Sequence, residues 1–598
     1  MMNCRGFIKL GLSLVTVLGL AACQAPDPVV NCGAGDHTLT DIQGPAAASP
    51  FAGQSVAVRG VVTASFQSAG ELGGFYLSNL ASADGARPSG VFVATTAAEH
   101  QVKAGDEVLV QGVVAEINQQ TQLTSVSQLQ YCGTAAIPAP VRLELPVADT
   151  EQFEALEGVL VTVPQNLVVN GHYQLARHGQ FQVAPIRMYT PTQVAAPGSD
   201  AVELAARYRL MRLTVDDNRS PNPAEVIYPA PALAANNTLR SGDTIEPVTG
   251  ILSEFDGDYR LQPTTAVRVK TTNPRPPAPA AAAADSVRVA AFNVLNYFNG
   301  EGVDKTFPTE RGAKTAAAFE RQHHKILAAL TALNADIIGL MEIENDGFDE
   351  HSAIHQLVTA LREASGAPWQ FINAAASGDD GRFGGDAITN GLIYRADRIT
   401  PVGDMFTVRQ GPFLNRSRLP MIQGFKRVTG TETLVVAVNH FKSKGSCPRD
   451  DGNLNARQGD GQACWNAVRV ESAQLLTDFI AGHPELGAHP ARILLGDFNA
   501  YAMEDPIQTM LARGYHNLVE SFEPGGYSYV YDGQAGSLDH LLVSDALKDR
   551  VLLQQNWSIN ADEPTALQYQ YGDEHPDWYA PNPYRSSDHD PVYADIRF

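Results

Sequence analysis

Positive charge is scarce in this chain. Its 43 lysines and arginines stand against 65 aspartates and glutamates, for a formal net charge of -22 over 598 residues. That balance excludes a protein that holds nucleic acid by bulk attraction, because such affinity comes from cations that displace phosphate counterions. A phosphate-handling site here must draw its positive potential from metal ions and a few local lysines and arginines. Long apolar runs are missing too: beyond residue 20 no stretch is long enough to cross a bilayer as a helix, which takes about 20 apolar residues. Cysteine is sparse, at six. Disorder is excluded by 44% hydrophobic and 18% charged residues, the mix of a folded chain. At about 100–200 residues per domain, the length requires three or four units.

What is present begins at the amino terminus. Arg5 and Lys9 precede the apolar run 10–20, which closes on Leu20-Ala21-Ala22-Cys23. The run is short for a spanning helix and ends in small residues, so residues 1–22 read as a secretory signal peptide. A cysteine directly after the small residues resembles the bacterial lipobox. That resemblance implies lipidation of Cys23 and an exported protein anchored to a membrane through lipid, at the outer membrane or cell surface because Gln24 rather than aspartate follows, or else extracellular. With Cys4 and Cys23 set aside, Cys32, Cys132, Cys447 and Cys464 remain, and three connectivities are open. The pairs Cys32–Cys132 and Cys447–Cys464 are favoured, since each closes a loop within one unit. Export favours disulfides over free thiols or a zinc site.

Residues 31–135 alternate apolar and polar positions with glycine punctuation, as in Val56-Ala57-Val58-Arg59-Gly60-Val61-Val62. This is an all-β unit whose order resembles an OB-fold barrel. Residues 140–272 form a second β-rich unit. Its runs Gly158-Val159-Leu160-Val161 and Val248-Thr249-Gly250-Ile251 echo the first unit, a divergent repeat being one reading. The turn Asp216-Asp217-Asn218-Arg219-Ser220 collects oxygen ligands that suit calcium, although an Asx-rich turn needs no metal. Residues 273–286, rich in proline and alanine, read as an extended, semi-rigid linker. From 287 to 598 the pattern changes to alternating strands (287–295, 336–343, 387–394, 434–440, 492–498, 538–543, 592–598) and helices (319–333, 351–364, 465–480), an α/β domain with central sheets.

Polar clusters stand at the ends of these strands, where loops collect site residues. They are Asn293, Glu342 with Glu344, His440 in Asn439-His440-Phe441-Lys442-Ser443-Lys444, Asp497 and Asn499 in Gly496-Asp497-Phe498-Asn499, Asp539-His540, and Asp588-His589 in Ser586-Ser587-Asp588-His589-Asp590-Pro591. Each alone reads equally as a turn former, a solvated pair or a core histidine. Together they supply oxygen ligands for a hard divalent cation and histidines for proton transfer.

This ordered set resembles the endonuclease/exonuclease/phosphatase (DNase I-like) superfamily, over residues 287–598. With the preceding β units and the signal, the chain looks like a bacterial extracellular nuclease of that superfamily. The resemblance implies a multidomain protein: N-terminal all-β, OB-fold-like units followed by an α/β four-layer sandwich of DNase I-like type. It implies a divalent metal, magnesium first, with calcium or manganese as alternatives. Glu342 would be the main ligand, with Asn293 and Asp588 close to the ion. Asp497 and Asn499 would handle the attacking water and the scissile phosphate. His589 would be the general base or acid, oriented by Asp539, and His440 a second catalytic histidine. The carboxylate expected beside His440 has no glutamate at its place, and Asp386 is the nearby candidate.

Lys442 and Lys444, with Arg416, Arg418, Arg449, Arg457 and Arg469, make a locally basic rim around the loop 447–464. Such a rim suits a polyanion, although Asp450, Asp451 and Asp460 dilute it. The expected substrate is DNA, with RNA as an alternative, and no protein partner is evident. A phosphomonoesterase or a phospholipid or sphingomyelin phosphodiesterase would use the same residue set. A non-catalytic DNA-binding surface protein would not need it.

Overall fold

The computed structural model describes residues 32–79, 89–219, 225–375, 381–449 and 452–598. The signal segment, Cys23 and part of the oxygen-rich turn lie outside them. Three β-rich bodies follow one another along the chain. Strands Ser55–Phe66, Gly74–Ser78, Gly90–Ala94, Gln120–Thr134 and Asp106–Ile117 close into a five-stranded barrel in that spatial order. Val58, Val62, Phe75, Leu77, Val93 and Val110 fill it. Cys32 is bonded to Cys132, which ties the entry segment to the barrel's longest strand.

The second unit is a nine-stranded sheet between Val141–Arg142 and Val269–Lys270, with the helix Ser199–Arg209 beside it. Its strand order is unlike that of the barrel, so the echoed Gly-Val strands are not a structural repeat. Asp216 and Asp217 accept the amides of Asn218 and Arg219 at 3.1 and 3.0 Å, forming Asx turns. The barrel docks on this sheet through a small apolar patch in which Phe66, Tyr76 and Phe92 meet Leu160 and Ile251.

Two six-stranded sheets make the remaining half. The first runs Trp369–Phe371, Ile388–Arg395, Ile337–Glu344, Ser286–Tyr297, Val592–Arg597 and Val551–Asn556. The second runs Ile399–Phe406, Met421–Arg427, Leu434–His440, Arg492–Asp497, Asp539–Ser544 and Tyr515–Asn517. They pack face to face in one core, closely enough that a Cβ at Gly339 would meet Leu495 Cδ1 at 2.4 Å. Helices Ala316–Leu333 and Ala353–Ser365 cover the first sheet, and Asn466–Gly482 and Asp505–Leu511 cover the second. Thr315 and Ser352 cap the first two helices by accepting the amides of Ala318 and His355, the usual work of such residues at a helix start.

The proline-rich segment is extended, as expected, but it is not free. Pro276 and Pro277 carbonyls accept Tyr584 Oη and Trp557 Nε1, both at 2.8 Å, and Arg275 grips Glu563 at 2.7 Å. Around it the second unit is fastened to the C-terminal half by buried charge. Arg240 also bonds Glu563, and Arg187 bonds Asp562 at 2.9 Å. The segment 188–193 then behaves as an added strand for the short hairpin of Tyr529–Tyr531 and Gln534–Gly536. Thr190 donates to the Ala535 carbonyl at 2.8 Å, and Ala535 returns a bond to Met188 at 3.0 Å.

Candidate active site

Strand register assembles the site. Leu434–His440 and Arg492–Asp497 run parallel with His440 opposite Asp497. Arg492–Asp497 and Asp539–Ser544 run antiparallel with Asp497 opposite Asp539. Residues opposite one another share a face of the sheet, so three chemically active side chains stand in a row on three neighbouring strands. The facing sheet adds Asn293 and Glu342 from its parallel strands. Asn293 joins the two sets, its Nδ2 donating to Glu342 Oε1 at 3.2 Å and to Asp497 Oδ2 at 3.3 Å. The Asn293 oxygen is fixed by the Leu295 amide at 3.1 Å, so Asn293 clamps the carboxylates as well as lying beside them.

Glu342 sits at a φ of 66°, a left-handed backbone unusual for a glutamate and a mark of local constraint. Its second oxygen accepts the Asn296 amide at 2.9 Å. Burial, and then the negative charge of Asp588, raise its pKa. Two crowded carboxylates form a donor set suited to a hard divalent cation. Glu342 and Asp588, with Asn293 beside them, are the residues that would hold one.

Asp539 and His589 form a buried dyad, Oδ2 to Nδ1 at 2.7 Å. The Nε2 of His589 lies 4.0 Å from Asp497 Oδ2. Burial by itself would lower the His589 pKa. The charge and hydrogen bond of Asp539, helped by Asp588 and Asp497, outweigh it and raise the pKa well above the usual range. Asp497 is pushed the other way from an ordinary carboxylate: burial, with Asp539 and Glu342 nearby, raises its pKa despite His589. Its Oδ1 accepts the Asn499 amide at 2.8 Å, and Asn499 Nδ2 donates to the Phe441 carbonyl at 3.2 Å. Asp497, Asp539 and His589 also bring their ligand atoms within 4.8 Å of one another. These three could also hold a metal ion, with His589 Nδ1 already bonded to Asp539.

His440 lies 3.5 Å from Asp497 through Nε2, with Arg418 Nη1 at 3.3 Å. Burial first, then the charges of Arg418 and His589, hold its pKa well below the usual value. The expected partnership with Asp386 is not found. Asp386 pairs with Arg311 at 2.9 Å and Arg418 at 3.2 Å, and reaches His440 only through the arginine. His440 Nδ1 is buried without a partner.

The basic rim is divided. Arg416 lies over the Trp465 ring at 4.8 Å and Lys442 at 5.3 Å, both at the surface of the loop that Cys447–Cys464 closes. Lys444 instead turns inward to Glu504, its pKa lowered by burial to about 8. Arg469 is fully buried against the carbonyls of Lys442, Cys464 and Gln462. Lys444 therefore belongs to the scaffold, because a buried cation must spend its charge on a fixed partner.

Two site neighbours left no sequence signal. Tyr529 packs against the His589 ring, tilted by 33° with the ring centres 4.6 Å apart. Ser528 donates to Asp539 Oδ2 at 2.7 Å. Both lie in the hairpin that the second unit braces. His540, beside Asp539, faces away and is satisfied by the Ala500 carbonyl at 2.8 Å.

A sequence profile of the Endonuclease/Exonuclease/phosphatase family matches residues 290–589. A profile described as a domain of unknown function matches residues 148–274. No curated protein matches the chain. Among solved structures, an endonuclease/exonuclease/phosphatase family protein from Bacteroides thetaiotaomicron is 17% identical over 52% of this chain and 97% of that one, with a TM-score of 0.34. The mannosyl-6-phosphatase of the same organism is 18% identical over 52% and 100%, with a TM-score of 0.34. The human Nocturnin catalytic domain with bound sulfate anion is 17% identical over 53% and 95%, with a TM-score of 0.32.

Proposed function

Because the chain belongs to the endonuclease/exonuclease/phosphatase family, whose members hydrolyse phosphoester bonds, we propose that it is an exported, lipid-anchored, divalent-metal-dependent nuclease that cleaves extracellular DNA with little sequence preference. One observation carries this reading: Asn293, Glu342, Asp497, Asp539 and His589 converge from both sheets into one hydrogen-bonded cluster. Arg416 and Lys442 on Trp465 support a polyanionic substrate, since cations on an aromatic face suit phosphate and base together. Export rests on residues 1–22 and Cys23, and the two disulfides fit an oxidising compartment. The five-stranded barrel is read as an OB-fold-like scaffold. Its aromatics Phe66, Phe75, Tyr76 and Phe92 are buried, and Tyr131 is the exposed ring among its described strands.

A divalent cation, with magnesium first, would supply Lewis-acid charge to a phosphate oxygen. The protein's own groups do the rest. The raised affinity of Asp497 for a proton suits it to take one from an attacking water. His589, kept charged by Asp539, donates from Nε2 toward the phosphate or the departing oxygen. Neutral His440 and Arg418 stand on the other side of Asp497, placed to bond the equatorial oxygens where negative charge builds. Tyr529 packs against the imidazole and shields it.

The test is degradation of plasmid DNA by the purified protein with magnesium, calcium or manganese, and then with chelator. DNA should disappear only with free metal, and His440→Ala and Asp497→Ala should each abolish cleavage with the fold intact. Full activity in either variant would overturn the site. Intact DNA alongside consumption of a nucleotide monoester or sphingomyelin would overturn the substrate.

A further inference from the structure

A cleft of about 830 Å³ opens between the second unit and the catalytic half. Leu295, Tyr529 and Asp588 form its inner end, one ring away from His589. The far walls carry Tyr173, Arg177, Phe255 and Arg260 from the second unit and Tyr531 from the hairpin. The walls touch at Gly171, where a Cβ would come within 2.9 Å of Gly533 Cα. The floor is therefore a close contact between two backbones, set by the docking already described.

Two features give the cleft a chemistry. On its outer walls the carboxylates Asp532 and Asp258 are engaged, while Arg177 and Arg260 form no ion pair among the described residues; Arg585, further in, is spent on the Asn560 and Glu563 carbonyls. Asp532 is bound by Arg212 at 2.9 Å, and Asp258 accepts the Thr214 hydroxyl at 2.8 Å. Arg177 is exposed over the Tyr173 ring at 4.8 Å, and Arg260 lies over Phe255 at 4.1 Å with its Nε buried and unpartnered. The second feature is exposed aromatic surface: Tyr531 is 67% exposed, Tyr173 58% and Phe255 40%. Rings left in water beside guanidinium groups that carry no ion pair form a platform for flat bases joined by anions.

We propose that this cleft is a channel for a single strand of nucleic acid running to the reaction centre. Arg177 and Arg260 bond phosphates, and Tyr173, Phe255 and Tyr531 stack on unpaired bases. A duplex keeps its bases paired and offers those rings no face, so the strand in the channel is single. This deepens the nuclease reading and rests on it, and it gives the domain of unknown function the task of substrate grip.

The experiment is fluorescence anisotropy of full-length protein in magnesium with labelled phosphorothioate oligothymidylates of about twenty and about four nucleotides, in the size range of single-strand sites. Arg177→Ala/Arg260→Ala should weaken binding of the long strand tenfold or more, reduce the slope of log affinity against log salt by about 1 to 1.5, and matter less for the short strand. Tyr531→Ala should cost about tenfold and leave the salt slope alone. Binding of the long strand by the wild type that is unchanged in these variants overturns the channel. So does failure of the wild type to bind, or a preference for anionic lipid vesicles. If the variants lose binding but the wild type cuts no DNA, the channel stands and the nuclease reading falls. If DNA is cut and the variants bind normally, the reverse holds.

Discussion

One carboxylate oxygen, Oδ2 of Asp539, accepts both the Nδ1 proton of His589 and the hydroxyl of Ser528, each at 2.7 Å. The serine fixes the carboxylate, and the carboxylate fixes the tautomer and charge of the imidazole. Asp539→Asn should therefore keep the fold and lower kcat by about 10³–10⁴, the scale seen when a histidine loses its orienting carboxylate. Ser528→Ala should cost about tenfold, because it loosens the carboxylate without removing it. Steady-state rates on DNA check both, and equal losses would contradict the hierarchy.

Burial and the like charge of Asp588 both oppose the ionisation of Glu342. A bound cation relieves that repulsion. Glu342→Gln should weaken manganese or magnesium binding by at least about 10–100-fold, measured by titration calorimetry. Unchanged affinity would remove Glu342 from the metal site.

Glu563 is fully buried, and Arg275 and Arg240 both bond it. Burial would raise its pKa, but those bonds hold it below the ordinary carboxylate range. Glu563→Ala leaves two arginines facing an empty space at the seam between the units. Removing one partner of a buried ion pair costs about 3–5 kcal/mol, so denaturant melts should shift by that amount, with loss of activity in parallel. A shift below about 1 kcal/mol would mean that solvent reaches the seam.

Glu157 lies where the barrel meets the second sheet, accepting Gln43 Nε2 at 3.0 Å and the Thr121 amide at 3.0 Å. Burial, with Glu154 and Glu254 nearby, pushes its pKa up to about 8. Because the folded pKa exceeds the unfolded one, the native state holds the extra proton between about pH 4.5 and about pH 8. This contribution is full below that window and is lost as pH rises through it. Thermal melts should therefore fall as pH climbs from about 5 to about 8, and Glu157→Gln should flatten that fall. Identical slopes would place the charged form in the native state.

The catalytic half was readable where chemistry sits at strand ends. Asn293, Glu342, His440, Asp497, Asp539 and His589 each close or flank an apolar run, and their strands form at nearly the expected positions. Edge strands were not readable. Ile399–Phe406 is half-exposed and interrupted by Pro401, Gly403 and Asp404, and Val551–Asn556 carries two glutamines and an asparagine. Neither shows a clean period of two. Contacts across units were invisible for another reason. Arg240 meets Glu563 and Gln193 meets Ser537 over separations of 323 and 344 residues, with no local pattern to announce them. Lys444 looked like Lys442 because spacing does not reveal which cation turns inward to Glu504.

The segment 188–193 has a practical consequence. Four backbone amides of the catalytic half, those of Ala502, Met503, Ala535 and Ser537, are satisfied by Gln193, Thr192 and Met188 of the second unit. Cutting the gene at the proline-rich segment would expose all four and free the loop carrying Tyr529. Trimming the chain to its family match, residues 290–589, would remove this splint together with the rest of the second unit.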